Sequence, residues 1–371
     1  MADITARIEI NDTDASDIIS SLLELEIEDD HRLTSVFKLK LAINRTGGGD
    51  WLYLDDTRLK LWNKISIKLN IKGAETELIK GYITHIKPHI EIEENNCCLI
   101  VMGMDSSCLM SVEEMIKDWP NKTDSDIATE ILQSYGLTPQ VDTVDVVHDE
   151  AVSTIIQRET DIRFLKRLAR RNGFECFVKG DQGFFRKPVF TDPPQAVLAA
   201  HFGADTNLMS FEGTLNALRP TKVEMHQIDT IAKEVVDVSV EAGDQPQLGR
   251  DGALSLAIPN GKTSKMIVKH AVATGLPEMQ ALCTALLDEA EWFMQGRGEI
   301  NTVVYGSVLE TRKLVPIKGV GEPFSGVYYV TNVKHSLSVG NYVQKFTARR
   351  NAIAPTGPSD FGDSSLLGGL I

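Results

Sequence analysis

The chain has 371 residues, 42% of them hydrophobic, and a formal net charge of −14. That length and apolar content suit substantial buried cores and two or more domains. The acidic balance argues against a nucleic-acid-binding surface, because phosphate recognition needs concentrated Lys and Arg.

No stretch approaches the ~18–20 continuous apolar residues of a membrane-crossing helix. Met1-Ala2-Asp3-Ile4 leads directly into strand-like sequence, so no secretory signal is expected. The cysteines (Cys97, Cys98, Cys108, Cys176, Cys283) are odd in number and lack metal-ligand spacing, which fits reduced thiols.

Residues 5 to 105 read as β-rich. Val36, Leu39 and Leu41 flank Phe37 in a strand-like run, and Ile65, Ile67, Leu69 and Ile71 alternate with polar residues. Gly47-Gly48-Gly49-Asp50 reads as a loop. A closed barrel or strongly curled sheet would hold so many strands without an exposed edge. From 110 to 190 the period turns helical. Thr123 or Asp124 caps a helix carrying Ile127, Ile131, Leu132 and Tyr135, and Gly136 closes it. Thr160 or Asp161 caps the next, whose apolar stripe is Ile162, Leu165, Leu168 and Ala169. Arg163, Lys166, Arg167, Arg170 and Arg171 fill its other faces, Gly173 supplies the left-handed end, and a strand starts at Phe174. Pro193-Pro194 marks a connection. Strand character returns from 208 to 240, then Glu241 to Lys265 reads as a long insertion or exposed loop. Residues 277 to 295 form the most apolar helix, and 301 to 350 are again β. The Gly-, Ser- and Pro-rich tail ends in Leu366-Leu367-Gly368-Gly369-Leu370-Ile371.

Three stretches carry a family resemblance. Gln157, Glu159-Thr160-Asp161, Phe164-Leu165, Arg167-Leu168, Gly173 and Phe174 resemble the signature of the phage late-control D family. These are hub proteins of contractile tails, related to the hub part of type VI secretion spike proteins. Gly326-Val327-Tyr328-Tyr329-Val330, the strand through His335, and Phe346 to Arg350 look like the family's closing sheet. A weaker match runs through Ile79-Lys80-Gly81-Tyr82-Ile83-Thr84 and Val101-Met102-Gly103-Met104-Asp105. The three occur in family order.

The resemblance implies an α+β, β-rich fold with two β-barrel-like tube domains around a mixed α/β middle. The expected divisions are 1–108 for the first barrel and 109–207 for the mixed region. The second barrel takes 208–353, with an insertion at about 241–298, and 354–371 is a flexible tail. It further implies a homotrimeric ring in which three chains offer six barrel positions. Such a ring joins a hexameric inner tube protein to a trimeric spike protein among baseplate wedge proteins. No residue-level repeat is evident between the two halves, so the duplication rests on the resemblance. Relatives that continue into a needle carry β-helix repeats; none is present here, so a separate spike is expected. The chain would be made and assembled in the bacterial cytoplasm and reside in the baseplate of a phage tail or injection particle.

Motifs suggestive of chemistry fail physical tests. Gly261-Lys262-Thr263 resembles the end of a phosphate loop, but Leu256 stands where a Gly is required. His85 and His89 would lie ~13 Å apart on one strand face, too far for a shared metal without a bend, which Pro88 could supply; ordinary surface or barrel histidines are the favoured reading. Cys97-Cys98 suit neither a redox motif nor a zinc knuckle. Glu91, Glu93 and Glu94 read as strand-surface charges. No catalytic, metal or cofactor residue is assigned, and no enzyme activity is expected. A cell-wall hydrolase or a receptor- or carbohydrate-binding tail module is the alternative. Leu366, Leu367, Leu370 and Ile371 are the candidate partner-docking residues.

Overall fold

Period-2 alternation builds the first third of the chain, as its apolar residues require. The computed structural model describes residues 4–356 except 149, 151–154, 230–231, 256–257, 259–260 and 272. Numbering only strands longer than two residues, this third holds β1 (Ile4–Ile10), β2 (Leu22–Asp30), β3 (Val36–Ala42), β4 (Lys64–Ile71), β5 (Ala74–His89) and β6 (Cys98–Asp105). Their inward side chains, among them Ile8, Leu25, Ile27, Leu39 and Ile67, make one apolar core.

The middle region has β7 (Glu114–Trp119), α1 (Asp124–Ser134), β8 (Thr138–Val141), β9 (Ile155–Thr160), α2 (Asp161–Arg171), β10 (Glu175–Lys179) and β11 (Gln182–Arg186). Thr123 and Asp126 form a reciprocal capping box at α1. α2 buries Ile162, Phe164, Leu165, Leu168 and Ala169 against Trp119, Ile127 and Ile131. Gly136 (φ 72°) and Gly173 (φ 68°) take the left-handed conformation after each helix. The α2 cap departs from expectation. Thr160 occupies the N-cap, but its hydroxyl caps no backbone N–H and is buried without a partner.

The last third carries β12 (Leu208–Leu215), β13 (Lys222–Ile228), β14 (Val235–Val240), β15 (Lys265–Val268), α3 (Leu276–Glu291), β16 (Met294–Asn301), β17 (Leu314–Lys318), β18 (Gly326–Ser338) and β19 (Asn341–Arg350). β13, β14 and β15 form a separate three-stranded sheet. Val223, Met225, Val238 and Val240 pack there on Met279, Cys283 and Leu287 of α3. The insertion therefore starts just after Leu215, not near 241, and the strands at 222–240 belong to it. Alternation identifies a strand but not the sheet it joins.

One long sheet unites both ends of the chain, in the order β12-β16-β19-β18-β2-β3-β6-β5-β4-β1. It contains the same antiparallel unit twice: β2-β3-β6-β5-β4 and β12-β16-β19-β18-β17. The agreement extends to single residues. A bulge opens the first strand pair of each unit, between Leu22 and Glu24 in one and Leu208 and Ser210 in the other. A second bulge falls between Ile83 and His85 of β5, and between Val330 and Asn332 of β18. Trp62 (φ 66°) and Arg312 (φ 60°) occupy matching left-handed kinks. Trp62 N–H donates to the Ile83 carbonyl and Arg312 N–H to the Val330 carbonyl, each at 2.8 Å. Tyr82-Ile83-Thr84-His85-Ile86-Lys87 thus superposes in register on Tyr329-Val330-Thr331-Asn332-Val333-Lys334. A residue-level repeat is present after all; six residues among large insertions are too few to stand out in the sequence.

The two units meet where β18 pairs with β2, from Asn332↔Asp30 to Ser338↔Glu24. Lys334 Nζ lies 2.6 Å from Glu26. Arg312 lies 3.1 Å from the Asp29 carboxylate and also donates to the Asp30 carbonyl. His31 N–H donates to the Thr331 carbonyl at 2.8 Å. Burial pushes the Asp29 carboxyl up, but the Arg312 charge and the Thr311 and Ser35 hydroxyls outweigh it and hold it below its ordinary range. Arg312→Met should therefore cost about 2–3 kcal/mol, less than a fully buried pair because Asp29 keeps some solvent contact. A depressed carboxyl pKa stabilises above the unfolded value and loses that contribution as pH falls. The gap between wild type and variant in urea unfolding should accordingly narrow from pH 7 to pH 3.

Candidate assembly site

The signature helix is locked by its own polar residues. Gln157 is fully buried, and its carbonyl accepts the Trp119 indole N–H at 3.1 Å. Its amide donates to the Asp161 carboxylate at 2.6 Å and to the Glu159 carbonyl at 3.1 Å. Asp161 also accepts the Tyr135 hydroxyl at 2.8 Å and sits in the first turn of α2, where the helix dipole favours a carboxylate. Arg167 reaches back to Glu159 at 2.6 Å. Gln157, Glu159, Asp161 and Arg167 thus tie β9 to α2 and α1, leaving no group among them free to react.

The end of α2 anchors the middle region to α3. Arg171 bonds Asp124 at 3.3 Å and Glu278 of α3 at 2.6 Å, while His148 Nε2 lies 2.9 Å from Asp124. Burial raises the Asp124 carboxyl, but His148, Arg171 and Asn172 bring it below its ordinary range. Buried Asp124, His148 and Glu278 and half-buried Arg171 and Asn172 satisfy one another here. Their positions, far apart in sequence, carry no readable pattern.

The closing strands are equally committed. Arg350 is fully buried and donates to the carbonyls of Leu248 (2.8 Å), Ser325 (2.7 Å) and Ala354 (2.6 Å). Tyr328 donates to the Phe324 carbonyl at 2.6 Å, and Tyr329 to the Glu175 carboxyl at 3.0 Å. His335 is buried beside the Tyr342 hydroxyl, and burial pushes it down to about 4, so it is neutral at pH 7.

A cavity of about 340 Å³ lies between α2, α3 and β18. Arg32 and Arg349 at its wall both pair with Glu289. Burial pushes the Cys176 thiol up to about 12, which leaves it un-ionised and unreactive. Among the described residues no group of three or more His, Cys, Asp or Glu is placed to hold a metal. His85 bonds Thr84 and His89 bonds Glu91, both at the surface. Lys262 and Thr263 precede β15 rather than a helix, as a phosphate loop would not. The proposed docking residues Leu366, Leu367, Leu370 and Ile371 lie outside the described residues.

What remains open is the rim of the long sheet. Among the described residues β12 is paired on one side only, by β16. β5 leaves β4 at Tyr82 and runs on to His89 paired with β6 alone. Large apolar side chains are exposed along both rims: Trp62 (53%) and Ile90 (52%) beside β5, and Leu215 (43%) on β12. Unpaired backbone groups with exposed apolar residues are the ordinary signs of an edge that is covered in an assembly. The sequence hinted at this only through the apolar residues at 61–62 and 215.

Solved structures that include phage tail proteins share this β-rich α+β fold. The 43 kDa tail protein of prophage MuSo2 from Shewanella oneidensis is 14% identical with a TM-score of 0.67, covering 94% of this chain and 99% of that one. A tail protein from Neisseria meningitidis MC58 is 11% identical with a TM-score of 0.64, covering 95% and 98%. The E. coli c3393 protein, a component of the type VI secretion system, is 10% identical with a TM-score of 0.52, covering 96% and 77%. No curated protein matches the chain. The Alg8 N-terminal domain family matches residues 4–339, and the chain belongs to that family.

Glu175 offers a test of the buried polar groups. Burial raises its carboxyl pKa, with Arg312 and His31 only partly opposing. A raised carboxyl binds its proton more tightly folded than unfolded, so stability falls as pH rises past the unfolded value. Glu175→Gln keeps an acceptor for Tyr329 and should raise the denaturation midpoint at pH 7, with less gain at pH 4.

Proposed function

We propose that the protein is the baseplate hub of a contractile injection system, related to the late-control D proteins. In this reading it is a homotrimer that joins a hexameric inner tube protein to a separate trimeric spike, held by wedge proteins. The supporting observation is the duplicated five-strand unit. A ring of three chains must present six similar surfaces to meet a sixfold tube, and one chain here carries two such units in a single sheet. The committed state of the signature residues supports a mechanical rather than catalytic role. The domain division follows the same logic: a first barrel to about residue 108, a mixed region to 207, and a second barrel from 208 to 353 interrupted by the insertion. The particle would be assembled in the bacterial cytoplasm and the hub retained in its baseplate.

The polar face of the long sheet fits a channel wall. Lys38 bridges Glu24 and Glu26, Lys334 also reaches Glu26, and Lys345 lies 3.5 Å from Glu299. Such paired charges leave little net field to hold a passing polymer.

Light scattering should give a mass of about 120 kDa, three times the 40.9 kDa chain. A single-chain mass, unchanged by a spike partner, removes the hub reading. Leu366, Leu367, Leu370 and Ile371 are proposed to dock the spike. Deleting residues 357–371 should then abolish spike recruitment while leaving the mass of the ring intact, and unchanged recruitment defeats this role.

A further inference from the structure

The duplication specifies more than a fold, because the seam between the two units occurs once within the chain. In that seam β18 pairs with β2. The counterpart of β18 is the outer end of β5, and the counterpart of β2 is β12; both edges are unpaired. We propose that the outer end of β5 in one copy pairs with β12 of a second copy of this chain, reproducing the β18–β2 seam. The proposal rests on the ring reading and names the surface through which the ring closes.

The register follows from the matched bulges. Asn332↔Asp30, Val333↔Asp29 and Lys334↔Glu28 become His85↔Asn216, Ile86↔Leu215 and Lys87↔Thr214. Each side chain that bridges the internal seam then has a counterpart. Lys334, 2.6 Å from Glu26, corresponds to Lys87, and Glu26 corresponds to Glu212. Both are exposed, and among the described residues neither side chain has an ion-pair or hydrogen-bond partner. Leu337↔Leu25 corresponds to Ile90↔Phe211, apolar against apolar.

The third contact changes character. Arg312, which clamps Asp29, corresponds to Trp62, which shares its left-handed backbone; Asp29 corresponds to Leu215. An ion pair in one seam is matched by an exposed indole and an exposed leucine in the other. Both members of the contact thus differ in the same direction, from charged to apolar, which keeps the two sides complementary. A further departure is Pro88 at the His335 position, which brings no N–H, so side chains carry more of this seam.

Cross-linking and charge exchange test it. A Lys87→Cys, Thr214→Cys variant should form interchain disulfides under mild oxidation, since the paired positions lie within bridging reach and the five native thiols are buried. A Lys87→Cys, Met209→Cys control, five residues out of register, should not. Lys87→Glu should weaken assembly at least tenfold in sedimentation equilibrium, and Lys87→Glu with Glu212→Lys should recover most of it. Leu215→Asp should dissociate the ring while circular dichroism and the unfolding midpoint of the single chain stay near wild type. A particle of three-chain mass that fails to cross-link and ignores these changes overturns the seam but leaves the ring. A single-chain mass at every concentration, with or without the spike, removes the ring reading and the seam together.

Discussion

The pairing of β18 with β2 is the constraint on which the rest of the chain depends. It joins strands some 300 residues apart and turns two separate curled units into one continuous sheet. Everything between them, the middle region and the insertion, is hung from loops that this closure holds in place. The closure is polar where it is exposed and apolar beneath, with Arg312 crossing both. Its guanidinium meets Asp29, donates to the Asp30 carbonyl and lies 3.9 Å over the Phe177 ring of the middle region. One side chain thus ties together both units and the region between them.

That arrangement gives the signature residues a physical meaning. A Gln, an Asp and a helix with an apolar stripe are commonplace singly. Together they fix the angle between β9, α1 and α2, and Arg171 then fixes α2 against α3. Gln157 and Asp161 satisfy one another, so replacing either strands the other without water.

Local signals carried much of the architecture. The alternation of Ile65, Ile67, Leu69 and Ile71, the cap at Thr123 and the glycines at 136 and 173 each specify one element and do so correctly. Non-local assignments were less legible. The strands at 222–240 alternate like any others, and their membership of the insertion depends on α3 arriving some forty residues later to cover them. The repeat escaped notice because shape was retained where sequence was not. Bulges and kinks persist through backbone geometry, while side chains such as Trp62 and Arg312 have exchanged chemistry. The open rims were the least visible, since an exposed leucine in a sequence resembles a buried one.

The bulges at Thr84 and Thr331 have a mechanical consequence. Each marks the point where a long strand lets go of one neighbour: β5 runs on beyond β4 with β6 alone, and β18 passes from β17 to β2. The two halves of each strand therefore share an unbroken backbone rather than meeting at a flexible joint. A pull along that strand loads both ladders in shear, where many hydrogen bonds must yield together instead of opening one at a time. Load on the outer end of either strand is carried into the apolar cores and away from the loops.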